Sequence, residues 1–263
     1  MTRVISMGWG VQSWTIVAMT ALGDIEPVDL AIHADTTWER QSTYEFARTW
    51  SPWLEEHGVR VRVVTANDSH AESRVLNKFG GVSIPAYTSS PADNVRGQLR
   101  RQCTYDWKIA PMRRYLRQLG VKQADFLLGI TLDEWRRAKD ADVKWIKNIW
   151  PLLDRKMTRG DCITWLKDHS LPVPDKSSCT FCPYHNKKAW EAMKRAGGDD
   201  WKQAVEVDRF IRDKRPPYPL FVYSGRKPLE NAVRIPEEDG YIQSSLWHVD
   251  DEDAQCDSGY CFL

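Results

Sequence analysis

Among its 263 residues the chain has no apolar run of the length that crosses a bilayer, so a membrane-spanning reading is excluded at the outset. It has almost no net charge: 37 Lys and Arg stand against 36 Asp and Glu, and no global field draws in nucleic acid or an anionic surface. No low-complexity tract or internal repeat stands out. Two familiar phosphate-binding signatures are also missing. There is no Gly-x-x-x-x-Gly-Lys-Ser/Thr and no Gly-x-Gly-x-x-Gly. The N-terminus enters a strand at once rather than a charged and then apolar segment, so a cytoplasmic protein is expected, with its six cysteines reduced and available for metal or redox chemistry. The thirteen tryptophans are read as packing, and no function is drawn from them.

What is present begins in the first dozen residues. Val4 and Ile5 form a short β-former run that breaks into a turn holding Ser6, Gly8 and Gly10. An amphipathic stretch follows from Ser13 through Trp14, Ile16, Val17, Met19 and Leu22, and Gly23 stops it. This is strand, Gly-rich loop and helix. Glycines let a backbone approach a phosphate closely, and the first turn of a helix offers unpaired N–H groups at the positive end of its dipole. The loop therefore reads as a phosphate cradle.

Further alternation follows. Leu30 to His33 reads as a buried strand ending in Ala34-Asp35-Thr36-Thr37. Gln41 to His57 has helical periodicity, Val59 to Thr65 is β-branched, Met112 to Leu119 is helical, and Ala124 to Ile130 is a buried strand. Strands alternating with helices predict a parallel sheet with right-handed crossovers. Ligands then collect outside the carboxyl ends of the strands, where the cradle loop, Asp35-Thr36 and Thr131 to Arg137 all fall. Ala66 to Arg100 carries Gly80, Gly81, Pro85 and Pro91 and reads as an irregular insert. Thr158 to His169 reads as a helix. The expected division is a nucleotide-binding α/β domain over 1–150 and a helical, cysteine-bearing region with an acidic tail over 151–263.

Charge is unevenly placed. Arg96, Arg100, Arg101, Lys108, Arg113, Arg114 and Arg117 are opposed by Asp106 alone, whereas Glu237 to Asp239 and Asp250 to Asp253 make the end acidic. Such a basic run is ordinarily a solvated helix face, and among site residues it also suits a phosphate or polyanion.

The cradle spacing Ser-x-Gly-x-Gly-x-x-Ser resembles the PP-loop of the ATP pyrophosphatase superfamily (adenine nucleotide alpha hydrolases), with Met7 in place of a glycine and Gln12 in place of an aspartate. Five segments in order extend the likeness to the phosphoadenosine phosphosulfate (PAPS) reductase-like branch, in its bacterial and phage form. They are Ser6–Ser13, Ala34–Glu39 with Thr43–Glu45, Cys103–Pro111, Gly129–Arg137, and Trp150–Leu153 leading to Lys176–Pro183. The resemblance implies an adenine nucleotide alpha hydrolase-like, Rossmann-like α/β fold. It implies that Ser6, Gly8, Gly10, Gln12 and Ser13 bind the phosphates of ATP or a sulfonucleotide, with Mg2+ as an accompanying ion, and that Asp35 and Thr36 sit near the adenosine. Without that frame Asp35 is a turn acid. Lys108, Arg136 and Arg137 would neutralise phosphate or sulfate oxygens, and Glu134 would orient one of the arginines.

Cys179-x-x-Cys182 supplies two thiolates, half a tetrahedral shell. Cluster-bearing relatives carry a tandem cysteine pair where this chain has Gln102-Cys103, and Cys162 is the substitute. The leading assignment is a [4Fe–4S] cluster on Cys103, Cys162, Cys179 and Cys182. Zinc on the same thiolates is the alternative, as are Cys256 and Cys261 in place of Cys103 and Cys162, and a buried helix cysteine is the plain reading of Cys162. In PAPS reductases a C-terminal cysteine attacks the bound nucleotide, a role the resemblance offers to Cys256 or Cys261 with the other resolving it. No histidine stands beside either, and the nearby acids raise a thiol's pKa. His185 is a surface histidine or a donor to the cysteine turn.

Three functions follow. One is an ATP-dependent sulfur-transfer or nucleotide-activating enzyme that releases pyrophosphate and modifies the adenylated acceptor using the iron–sulfur cluster, for which nucleic acid is a compatible acceptor. A second is a reductase of PAPS or adenosine phosphosulfate, served by a thiol or electron-donor protein. The third is a metal-held nucleic-acid-binding module without catalysis, disfavoured by the near-zero charge.

Overall fold

A computed structural model describes residues 1–66, 75–77, 79–90 and 96–234. The described residues fall into two compact units. One is built from 1–66 and 104–178, the other from 75–77, 79–90, 96–103 and 179–234.

The first unit is a five-stranded parallel sheet of order β3-β2-β1-β6-β7, from Thr2–Met7 (β1), Leu30–Asp35 (β2), Val61–Thr65 (β3), Ala124–Leu127 (β6) and Ile146–Ile149 (β7). In register, Val4 pairs with Leu30 on one side and with Phe126 on the other, so β1 is central. Its side chains alternate between two cores, as the two-residue period of a sheet covered on both faces requires. Ile5 and Met7 pack with helix α1 (Val11–Ala21) and with Leu152, Cys162 and Leu166. Val4 packs on the other face with Met112 and Leu116 of the helix Ala110–Gln118. This is the α/β, Rossmann-like fold expected from the alternation.

The first face is unusually aromatic. Trp14 stands between Trp9, Phe46, Trp50 and Trp53, with ring centroids 5.3–6.2 Å apart. Phe46, Trp50 and Trp53 come from α2 (Gln41–Glu56), so four of the tryptophans clamp α1 and α2 together.

The division of the chain differs from a break at residue 150. Residues 151–178 belong to the sheet's own unit because Leu152, Cys162, Leu166 and Leu171 complete the core behind α1. A capping box starts the helix Arg159–Asp168: Asp161 N–H donates to the Thr158 hydroxyl at 3.1 Å, and Thr158 N–H donates to the Asp161 carboxylate at 2.8 Å.

The second unit contains a small antiparallel sheet of order β5-β4-β8, from Tyr87–Ser89 (β4), Arg96–Gln98 (β5) and Leu220–Phe221 (β8). The expected irregular insert thus contributes two strands. Each is three residues long, too short to show a period, and β4 finds its other partner more than a hundred residues away. The helices Lys187–Ala196 and Gly198–Ile211 follow the cysteine pair. Buried Asp208 ties this unit together by accepting from Val222 N–H at 2.9 Å and Leu229 N–H at 3.0 Å, with Arg212 paired to it.

Candidate active site

The cradle forms where β1 ends. Trp9 takes a positive φ of 58°, and Gly10 caps α1 with no side-chain hydrogen bond and no acid in the first turn. The amides at that end thus have no side-chain cap and lie at the positive end of the helix dipole. The loop is held from within. Gly8 N–H donates to the Ser13 hydroxyl at 3.2 Å, and that hydroxyl donates to Gly10 C=O at 3.2 Å. Ser6 is buried, and its hydroxyl lies 3.8 Å from Met112 Sδ.

Close packing explains two glycines. A β-carbon on Gly10 would stand 2.8 Å from the Ser177 hydroxyl, and one on Gly129 would stand 2.9 Å from Ser13 N and 3.1 Å from the Gln12 carbonyl carbon. Gly129 lies just beyond β6, so the backbone there supports the first turn of α1 from the neighbouring strand. Ser177 and Gly129 were not among the residues picked from sequence. The signal was their place inside the Lys176–Pro183 and Gly129–Arg137 segments.

At the mouth of β2, Asp35 is engaged by its own loop. One of its oxygens accepts from Thr37 N–H at 2.7 Å and from the Tyr44 hydroxyl at 2.8 Å. Burial and the Asp35 carboxylate push the Tyr44 hydroxyl's pKa upward, so it stays protonated and donates. The Thr36 hydroxyl donates to Glu39 Oε1 at 3.2 Å. Lys108 Nζ lies 3.3 Å from the same Glu39 oxygen. Lys108 projects from a π-turn, Tyr105–Ile109, that leads into the helix Ala110–Gln118. Such turns re-aim side chains at functional sites. Buried His33 accompanies this group: its pKa is lowered by burial, and its Nδ1 lies 3.0 Å from Met7 C=O.

The third contribution is the loop after β6. Asp133 accepts from Arg159 N–H at 2.6 Å, and Leu132 N–H donates to Met157 C=O at 2.8 Å, which anchors the turn Leu132–Arg137. Arg137 is buried and paired with Glu134. Arg136 is exposed, its guanidinium 5.6 Å from the Trp135 ring centroid. Glu134 therefore orients Arg137, and Arg136 faces outward.

A cavity of about 250 Å3 opens beside these groups. Ser6 and Lys108 line it with an apolar floor of Met112, Phe126, Leu128 and Ile146.

The cysteines divide. Cys103, Cys179 and Cys182 belong to the second unit, where Cys182 N–H donates to Cys179 C=O at 3.1 Å and His185 Nε2 lies 2.9 Å from the same carbonyl. Tyr87 caps this turn through a 3.3 Å bond to Pro183 C=O. Cys162 belongs to the first unit, with no exposed surface, and burial pushes its thiol up to about 12. Among the described residues no group of three or more His, Cys, Asp or Glu side chains is placed to hold a metal ion. The four-thiolate assignment on Cys103, Cys162, Cys179 and Cys182, for iron–sulfur or for zinc, thus finds no support among the described residues, and Cys162 packs in the core behind α1. Cys256 and Cys261 lie outside the described residues. Among the described residues no helix is long and apolar enough to cross a membrane.

No protein-family model and no curated protein sequence matches the chain. Among solved structures it is similar to a phosphoadenylyl-sulfate (PAPS) reductase from Candida auris in its phosphate complex, at 16% identity and a TM-score of 0.46 over 66% of this chain and 75% of that one. It is also similar to the U34-tRNA thiolase NcsA from Methanococcus maripaludis with its [4Fe-4S] cluster, at 13% identity and a TM-score of 0.38 over 82% of this chain and 67% of that one. Its own parallel sheet, of order β3-β2-β1-β6-β7, gives the chain the α/β, Rossmann-like fold class.

Proposed function

We propose that the chain is an enzyme that binds an adenine nucleotide, ATP or a sulfonucleotide, by its phosphates and promotes attack at the phosphorus or sulfur beyond them. The observation that carries this reading is the Ser6–Ser13 loop: an uncapped helix start with no acid in its first turn, at the carboxyl end of the central strand. Backbone amides there would receive phosphate oxygens, with Gln12 and Ser13 at the entry to α1 and Mg2+ as the nucleotide's counter-ion. Lys108 and Arg137 would neutralise the charge that grows on the departing group, and catalysis would come from positioning and electrostatics. Asp35 and Thr36 would border the adenosine, and the cavity beside Ser6 has an apolar floor suited to a flat ring.

Two reactions share this machinery. In the first, an acceptor attacks the α-phosphate of ATP and pyrophosphate leaves, with nucleic acid among the acceptors. In the second, the thiolate of Cys256 or Cys261 attacks the sulfur of a sulfonucleotide, the S–O bond to the adenosine phosphate breaks and that phosphate leaves. A thiol protein then attacks the S-sulfocysteine, releasing sulfite and forming a disulfide. Product analysis separates the two. Pyrophosphate from ATP supports the first and sulfite from PAPS supports the second. Release of neither, with no binding of either nucleotide, refutes the proposal.

A further inference from the structure

The Glu39 side chain is 1% exposed, although it stands at the mouth of a strand where ligands collect. A carboxylate withdrawn from water is costly unless a cation and hydrogen bonds compensate it. Here the compensation comes from residues already placed at the site. Glu39 Oε1 lies 3.3 Å from Lys108 Nζ and accepts from the Thr36 hydroxyl at 3.2 Å. Glu39 N–H donates to the Tyr44 oxygen at 3.3 Å, and that hydroxyl donates to Asp35 at 2.8 Å. Glu39 Oε2 is buried and receives no hydrogen bond.

We infer that Glu39 is a positioning residue: it holds the Lys108 ammonium at the edge of the cradle and links it, through Thr36 and Tyr44, to the β2 loop. Lysine is a point charge on a flexible four-carbon stem, so a lysine that meets an anion benefits from being fixed beforehand. If Glu39 only filled space, an apolar side chain of similar volume would serve as well, because buried ion pairs add little net stability over well-packed hydrophobic residues. The carboxylate's cost makes sense where a cation has to be held in one place. Both of the donors that the Glu39 carboxylate receives, the Lys108 ammonium and the Thr36 hydroxyl, meet at Oε1.

This inference rests on the proposal that Lys108 meets the nucleotide's phosphate or sulfate, and the test keeps the two apart. E39Q, E39D, K108Q and the E39Q/K108Q pair are titrated with ATP and with PAPS. Acylation of the Lys108 amine is followed separately by mass spectrometry without nucleotide. E39Q is expected to lose about tenfold in nucleotide affinity, the scale of one charge-assisted bond. In the K108Q background the same change should cost less than about twofold, because the two residues act as a unit. Lys108 acylation should rise several-fold in E39Q and less in E39D, which keeps the charge but withdraws it by one methylene. Equal losses in both backgrounds, or Lys108 labelling unchanged in E39Q, would overturn the inference. If the unaltered protein binds neither nucleotide, the functional proposal fails, and the labelling still decides whether Glu39 holds Lys108.

Discussion

Gly129 lies so close to the first turn of α1 that a β-carbon on it would stand 2.9 Å from the Ser13 backbone nitrogen. The obstacle is backbone rather than a side chain that can rotate away, so the loop itself would have to shift. Gly129→Ala is expected to destabilise the protein by about 1–3 kcal/mol, the usual cost of overpacking, and to weaken nucleotide binding with it. Thermal melts and ATP titration check both. A variant with wild-type melting and affinity would remove Gly129 as the support of the cradle.

Arg136 and Arg137 are adjacent in sequence and differ in setting. Arg137 is buried against Glu134, whereas Arg136 is exposed beside Trp135. Removing the Arg137 guanidinium should cost about 1.5–3 kcal/mol of nucleotide binding, and Arg136→Ala less than about 0.5 kcal/mol. Arg137→Lys keeps the charge and loses the planar fork, and it should fall between wild type and alanine. Calorimetric titration of the three variants measures this, and a larger loss at Arg136 would reverse the assignment.

Cys162 gives a pH signature. Burial raises its folded pKa to about 12, above the value of 9.0 for an ordinary thiol. The stability this confers is fully present below about pH 9 and is lost as pH rises toward 12, at a slope approaching about 1.4 kcal/mol per pH unit for one proton. Denaturant unfolding of wild type and Cys162→Ala between pH 8 and pH 11 isolates the term. The difference between them should narrow with rising pH, and a constant difference would contradict the buried, protonated thiol.

The same burial separates the cysteines by metal binding. Any iron or zinc carried by the Cys179–Cys182 turn should survive Cys162→Ala and be lost in Cys179→Ser. Metal and acid-labile sulfide analysis of protein purified without oxygen reads this directly. Loss of metal in Cys162→Ala would return Cys162 to the ligand set.

The central sheet was legible because its strands and helices are long and periodic. Val4 and Ile5, the Leu30 to His33 run and the Gln41 to His57 helix all appear close to where the pattern puts them. α1 begins at Val11 rather than Ser13, since Gly10 already caps it and the Ser13 hydroxyl is used inside the first turn. Strand β7 and the three-stranded sheet were not legible. Two to four residues carry no period, and β8 lies more than a hundred residues from its partner β4. Cys162 shows what spacing alone leaves open. Its distance along the chain from Cys179 suited a ligand, whereas its place in the buried core behind α1 was legible only from the packing. Glu39 and Tyr44 lay in a motif segment, and only their shared contacts gave them roles.

The most direct test of the central claim is titration calorimetry of the full chain with ATP, ADP, AMP and adenosine, each with Mg2+. A phosphate cradle predicts affinity falling stepwise as phosphates are removed, with the ATP–adenosine difference shrinking in Lys108→Gln and in Arg137→Ala. Equal affinity for ATP and adenosine, or no binding of any of the four together with none of PAPS, would contradict it.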